Sequence, residues 1–275
     1  NTTGAENVAI GYGALSNATT GSNNTALGKS SLGSNTTASN NTAVGKSALA
    51  LNTTGGTNVA IGAFTLDANT TASDNTGVGY AVLSANTTGT NNTGVGVNAL
   101  QANTTADDNT AIGRNCLTAN TEGNTNTAVG SEAAKSITTG DENVAIGHGA
   151  LDGGTTVNGN TSVGTDTMGS ASYSGSYNTA VGYNAMLVAT SVTGTTAIGN
   201  QCLDALTTGD NNTAVGAAAL GANTTGARNN VMGTFAGDSL TTGNDNVAIG
   251  FDAADNLTTG SQNIAIGGDT SLSAA

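Results

Sequence analysis

Residues 41–57 read NTAVGKSALALNTTGGT, and residues 58–74 continue as NVAIGAFTLDANTTASD. The second line rewrites the first. Both start on Asn, place Ala third, Val or Ile fourth and Gly fifth, put Leu ninth, and reach Asn-Thr-Thr at the twelfth residue. Self-similarity at a fixed period is the signature of a repeat architecture and has to be settled before any single element is assigned. Repeats begin at 7, 24, 41, 58, 75, 92, 109, 126, 143, 160, 178, 195, 212, 229, 246 and 263, so fourteen of the fifteen spacings are 17 residues and the one starting at 160 is 18.

Sixteen copies allow the columns to be compared within one chain. The first is Asn in 15 of 16, Thr195 being the exception, and the third is Ala, Gly or Ser in 15 of 16. The fourth is always aliphatic or Met, the fifth is Gly in all sixteen, and the ninth is Leu or Met in 12 of 16. The sixth varies freely through Tyr12, Lys29, Ala63, Arg114, His148 and Phe251, which marks it as facing solvent.

A helical hairpin repeat needs 30 or more residues and better helix formers than Thr, Asn and Gly. The stretches NTAVG and NVAIG instead alternate with period two, a strand signal, and Asn-Thr-Thr-Gly clusters between them read as turns. The reading is an all-β chain, a parallel β-solenoid of about sixteen 17-residue coils. Stacked about 4.8 Å apart, they would form a rod roughly 75 Å long. Residues 1–275 form a single repeat array that opens on the tail of one repeat and stops partway through another, which reads as a stretch of a longer protein; its irregular coils lie near 160–194.

Each column has a physical role in this reading. The small third residue suits a narrow interior. Asn41, Asn58 and Asn75 stack as a ladder, each side-chain amide bonding to its copy one coil along. Gly45, Gly62 and Gly79 form a bend that needs positive φ or a close backbone approach. Asn52 to Gly55 is the turn. A coil of 17 residues cannot enclose both aliphatic columns, here Val44 and Leu49. One of them is therefore an outer stripe, of a kind soluble monomers rarely tolerate. The expected solution is a parallel homotrimer with the stripe on its axis.

The composition limits what such a chain does. There is no Pro or Trp, aromatics are 3%, charged residues 8%, and Gly accounts for 41 of 275. Regular stacking must replace ordinary core packing, and low charge with periodic apolar residues argues against disorder. The net charge of −13 repels phosphate backbones, so nucleic acid is not an expected partner. With no apolar run of 18 residues, no membrane insertion is expected in this segment.

NVAIGYGALSNATTGSN and NTAVGYNAM resemble the head repeats of trimeric autotransporter adhesins. They are still more similar to the NTAxGxxAL…NTTG repeats of bacterial and phage tail-fibre proteins. The resemblance covers essentially the whole chain, although the adhesin heads have a shorter period. It implies a left-handed β-roll assembled as a trimer and displayed outside the cell or on a particle. IGYGAL and VGKSAL also resemble one unit of the hexapeptide β-helix of acyltransferases, where the hexad recurs every six residues rather than once per 17.

Little in the sequence can carry chemistry. His148, the only His, occupies the variable sixth column. Cys116 and Cys202 share the eighth column five coils apart, roughly 24 Å, beyond disulfide reach, and read as buried substitutes for Ala. In a trimer Cys116 could in principle meet its own copies. The acids Asp107-Asp108, Asp141-Glu142, Asp210 and Asp245 precede the Asn column without a calcium-repeat pattern and read as solvated turns. Asn-x-Thr sequons such as Asn52-Thr53-Thr54 follow from the letters of the repeat. No catalytic, metal or cofactor residues are expected, and the chain is not expected to be an enzyme.

Residues 160–194 lose the turn motif and hold Tyr173, Tyr177 and Tyr183, the candidate surface-binding patch. The functional expectation is an extracellular fibre segment at a cell surface or on a virion, a stalk or shaft that supplies length and rigidity, with attachment to a host or cell-surface receptor or glycan as an added role. Two alternatives stand beside it. A receptor- or glycan-binding head needs Tyr173 and Tyr177 exposed together. An ice-binding solenoid would use the Thr pairs (Thr36-Thr37, Thr53-Thr54), each offering one outward column.

Overall fold

The computed structural model describes residues 2–271. It is an all-β parallel solenoid whose coils repeat every 17 residues, one short strand per coil. The coils form two compact units, Asn1–Gly140 and Asp141–Ala275. The first holds β1 (Val8–Ile10), β2 (Thr25–Leu27), β3 (Thr42–Val44), β4 (Val59–Ile61), β5 (Thr76–Tyr80), β6 (Thr93–Val97), β7 (Thr110–Ile112) and β8 (Thr127–Val129). The second holds eight more, from β9 (Val144–Ile146) to β16 (Ile264–Ile266). Within each unit every strand pairs in parallel with the next, like residue on like, as in Thr42↔Val59, Ala43↔Ala60 and Val44↔Ile61. The 18-residue coil keeps this register, with Thr161↔Thr179, so its extra residue is absorbed outside the strand.

Three residues of strand would not hold a coil, and the main-chain bonding continues around it. Leu49 N–H donates to Thr65 O at 3.1 Å, Thr53 N–H to Thr70 O at 2.8 Å, and Phe64 N–H to Lys46 O at 3.0 Å. Coil-on-coil bonding therefore satisfies the backbone of segments that would otherwise count as loop.

Six positions of the coil face inward: the first, third, eighth, ninth, twelfth and fifteenth, as in Asn41, Ala43, Ala48, Leu49, Asn52 and Gly55. The question of the two aliphatic columns is thereby resolved. The ninth is the core, with Leu32, Leu49, Leu66, Leu83, Leu100 and Leu117 fully buried, and the fourth lies outside. Burial comes with backbone strain, because the core leucines have left-handed φ, 50° at Leu49 and 52° at Leu66. A bulky L-residue is disfavoured there. Burying a Leu side chain returns about 1.5–3 kcal/mol, enough to offset a left-handed penalty of about 1–2 kcal/mol.

Gly45, Gly62 and Gly79 have φ of 133°, 131° and 138°. A Cβ on Gly45 would lie 2.5 Å from the carbonyl oxygen of Gly62 in the next coil. Both reasons for glycine, conformation and close approach, operate at the same position.

Candidate functional site

The candidate functional surface is the outer face of the strands. The second and fourth residues of each coil point outward. In the first unit they form one column of Thr or Val (Thr25, Thr42, Val59, Thr76) and one of aliphatic residues (Leu27, Val44, Ile61, Val78). Ile61 and Ile112 are each 41% exposed, and the valines between them are half-buried. The second unit repeats the face with Ile146, Ile198, Met232 and Ile249 exposed. No charged residue occurs in either column in any coil.

Behind this face lies the Asn column. Asn41, Asn58 and Asn75 are fully buried, and each accepts a main-chain hydrogen bond from its copy one coil on: Asn58 N–H to Asn41 Oδ1 at 2.9 Å, Asn75 N–H to Asn58 Oδ1 at 3.0 Å. Each Nδ2 crosses the interior instead, as from Asn41 to Gly55 O at 2.9 Å. The expected amide-to-amide bond is thus largely replaced by side chain to backbone. In the first unit, the column made of amide-to-amide bonds is another one. Asn35, Asn52, Asn69, Asn86, Asn103 and Asn120 are wholly buried, and from Asn52 onward each Nδ2 donates to the preceding Oδ1 at 2.8–3.2 Å.

Asn52 opens the bend that the sequence predicts, its Nδ2 donating to Gly55 O at 2.9 Å, and what the structure adds is that its amide is buried. The signal was available in the sequence, because other coils put Ile137, Leu206, Leu240 and Leu257 in this column. A position that exchanges Asn for Leu lies inside. The same burial removes Asn52 from the reach of a glycosylating enzyme in the folded chain.

The tyrosine patch is also corrected. Tyr173 is 3% exposed, whereas Tyr177 is 68% and Tyr183 52% exposed. Tyr173 fills the interior of the irregular coil. Its hydroxyl donates to Asn160 Oδ1 at 3.2 Å and accepts from Asn178 Nδ2 at 2.7 Å, splicing the Asn ladder across the insertion. Burial holds its phenol well above the usual range.

Cys116 and Cys202 are buried and free, each Sγ against a carbonyl, Ala128 O at 3.2 Å and Ala214 O at 3.3 Å. Burial pushes both thiols up to about 12, which suppresses the thiolate. Because Cys116 lies inside its own coil, it cannot meet its copies on an axis. His148 is exposed, with Nδ1 3.7 Å from Asp166 Oδ1. In the Thr pairs the first hydroxyl is committed, Thr36 Oγ1 donating to Thr53 O at 3.1 Å, and the second residue, Thr37 or Thr54, is the exposed one. Among the described residues no three of His, Cys, Asp and Glu converge as metal ligands, and no helix is long and apolar enough to cross a membrane.

No protein-family model matches the chain, and no curated protein is significantly similar to it.

Proposed function

We propose that this chain is a non-enzymatic segment of an extracellular fibre, the stalk or shaft of a trimeric adhesin or tail fibre, as a left-handed roll whose outer strand face lies on the axis of a parallel homotrimer. Its role is length and stiffness, with attachment to a receptor or glycan as an added capacity.

The observation that carries this reading is the uncharged outer face. Columns of mainly Thr/Val and Val/Ile/Leu reach the surface, half-buried or exposed, along a strongly acidic chain. A continuous apolar stripe of that kind marks a contact surface, and identical copies supply a stripe with the same period. Sedimentation equilibrium should give a mass three times that of the chain. A monomer at high concentration refutes the assembly. In that event the bare Thr-and-aliphatic face becomes the better candidate for ordering water, and thermal hysteresis would measure it. The alternative of a receptor-binding head built on Tyr173 and Tyr177 loses its own condition, since Tyr173 is buried.

A further inference from the structure

In the first unit, two flanks of opposite charge border the uncharged face. Where each strand ends, the sixth position carries Lys29 and Lys46, both exposed and, among the described residues, in no ion pair. Lys46 Nζ lies 4.8 Å from the centroid of the Phe64 ring, which meets Tyr80 edge-on at 6.0 Å. No acid occupies the sixth column of this unit; its remaining cation, Arg114, is bound to Glu132 at 2.7 Å. Where each strand begins, the last two residues of the preceding turn carry Glu6, Asp74, Asp107 and Asp108, and no Lys or Arg.

We infer that this segregation orients the copies that meet on the face, a step that rests on the side-by-side assembly proposed above. The Lys29–Lys46 flank of one copy lies beside the Glu6–Asp74 flank of the next. The reason is geometric. Rotation about an axis along the coils brings the strand-end flank of each copy to the strand-start flank of its neighbour. Reversing one copy sets lysine against lysine and carboxylate against carboxylate. Glu6 and Asp74 bracket the two lysines, each within about two coils, roughly 10 Å. That separation is comparable to the Debye length at moderate salt, so the attraction acts between exposed side chains and is screened by salt.

The test is a charge swap in the full chain, with association followed by sedimentation at low and high salt and folding by circular dichroism. K29E/K46E and E6K/D74K should each weaken association at low salt by about tenfold or more, and the combined variant should recover it. The turn position accepts a long cation, as Arg228 occupies it in the second unit with φ 58°. High salt should weaken the parent and restore association of both single-flank variants, whose like-charged flanks it screens. Equal association of all four proteins at low salt overturns the inference while leaving the assembly intact, as does a combined variant no better than either parent swap. A parent chain that is monomeric at every salt and concentration refutes the assembly itself.

Discussion

Asn223 lies in the interior column that Leu206 and Leu240 occupy one coil before and one coil after, and it is fully buried. Neither its Oδ1 nor its Nδ2 has a hydrogen-bond partner. In the first unit the same residue type is satisfied because it has neighbours of its own kind: Asn86 Nδ2 reaches Asn69 Oδ1 at 3.0 Å and Gly89 O at 3.0 Å. A buried amide without partners costs roughly 1–3 kcal/mol, whereas one in a complete ladder contributes. The same substitution should therefore have opposite signs. Asn223→Leu is expected to stabilise by about 1–2 kcal/mol and Asn86→Leu to destabilise by a similar amount, by removing bonds from both neighbours. Urea titration of the two variants measures both.

Gly62 presents a harsher constraint at the same scale. With φ 131° and an added Cβ falling onto the Gly79 carbonyl, Gly62→Ala should cost about 2–4 kcal/mol, read as a lower denaturation midpoint. Asp67 and Asp204 give a pH dependence. Burial raises both carboxyls above the ordinary 3.8, so their charged forms are less favourable folded than unfolded. The penalty is present above the raised values and is relieved as pH falls through them toward 3.8. Stability should therefore rise on mild acidification from neutral pH. Asp67→Asn should raise neutral-pH stability and flatten that rise, followed by thermal melts across pH.

At the scale of the coil, the fold was legible because the repeat acts as its own alignment. The fifth-column Gly, the small third column and the period-two strand follow from residue size and φ alone, and Ala43, Val44 and Gly45 sit where those arguments place them. Legibility failed where one residue type serves two environments. Asn, Thr and Gly are turn formers, and in a coil this narrow they also line the interior, so the letters around Asn52 reveal its bend but not that its amide is inside. Tyr173 failed for a related reason. A large residue in an irregular coil looks like a surface insertion, yet Tyr173 turns inward, where its ring is buried and its hydroxyl bonds Asn160 and Asn178. Since each coil contacts mainly its neighbours, stability is close to a sum over coils. Deleting residues 58–74, one whole coil, should leave a cooperative fold with a melting temperature within a few degrees of the parent. Deleting one residue fewer leaves an 18-residue coil like the one at 160–177, whose extra residue is absorbed outside the strand, so it should lower the melting temperature further than the whole-coil deletion without abolishing the fold, as circular dichroism would register.

For the molecule as a whole the decisive quantity is what the outer face gains per coil. A fully buried aliphatic side chain is worth about 1.5–3 kcal/mol, and residues of the fourth column are already partly covered, so each coil has roughly half of that left to gain. Association costs about 4–15 kcal/mol before any contact is counted. One or two coils cannot offset it, whereas the eight of a single unit can. A coil too small to assemble alone would thus become adhesive by repetition, and the proposed rigidity and assembly would come from one array. Weakening the face without touching the interior should then separate assembly from folding. Val44→Thr, Ile61→Thr, Val78→Thr and Val95→Thr together remove an apolar methyl or more from four successive coils, and Thr is accepted in strands and already fills the adjacent column. The expected result is unchanged circular dichroism, a shift from oligomer toward monomer in sedimentation, and a denaturation midpoint that no longer rises with protein concentration. Loss of the fold instead would mean that the fourth column supports the coil itself, and an unaltered oligomer would place the contact on another face.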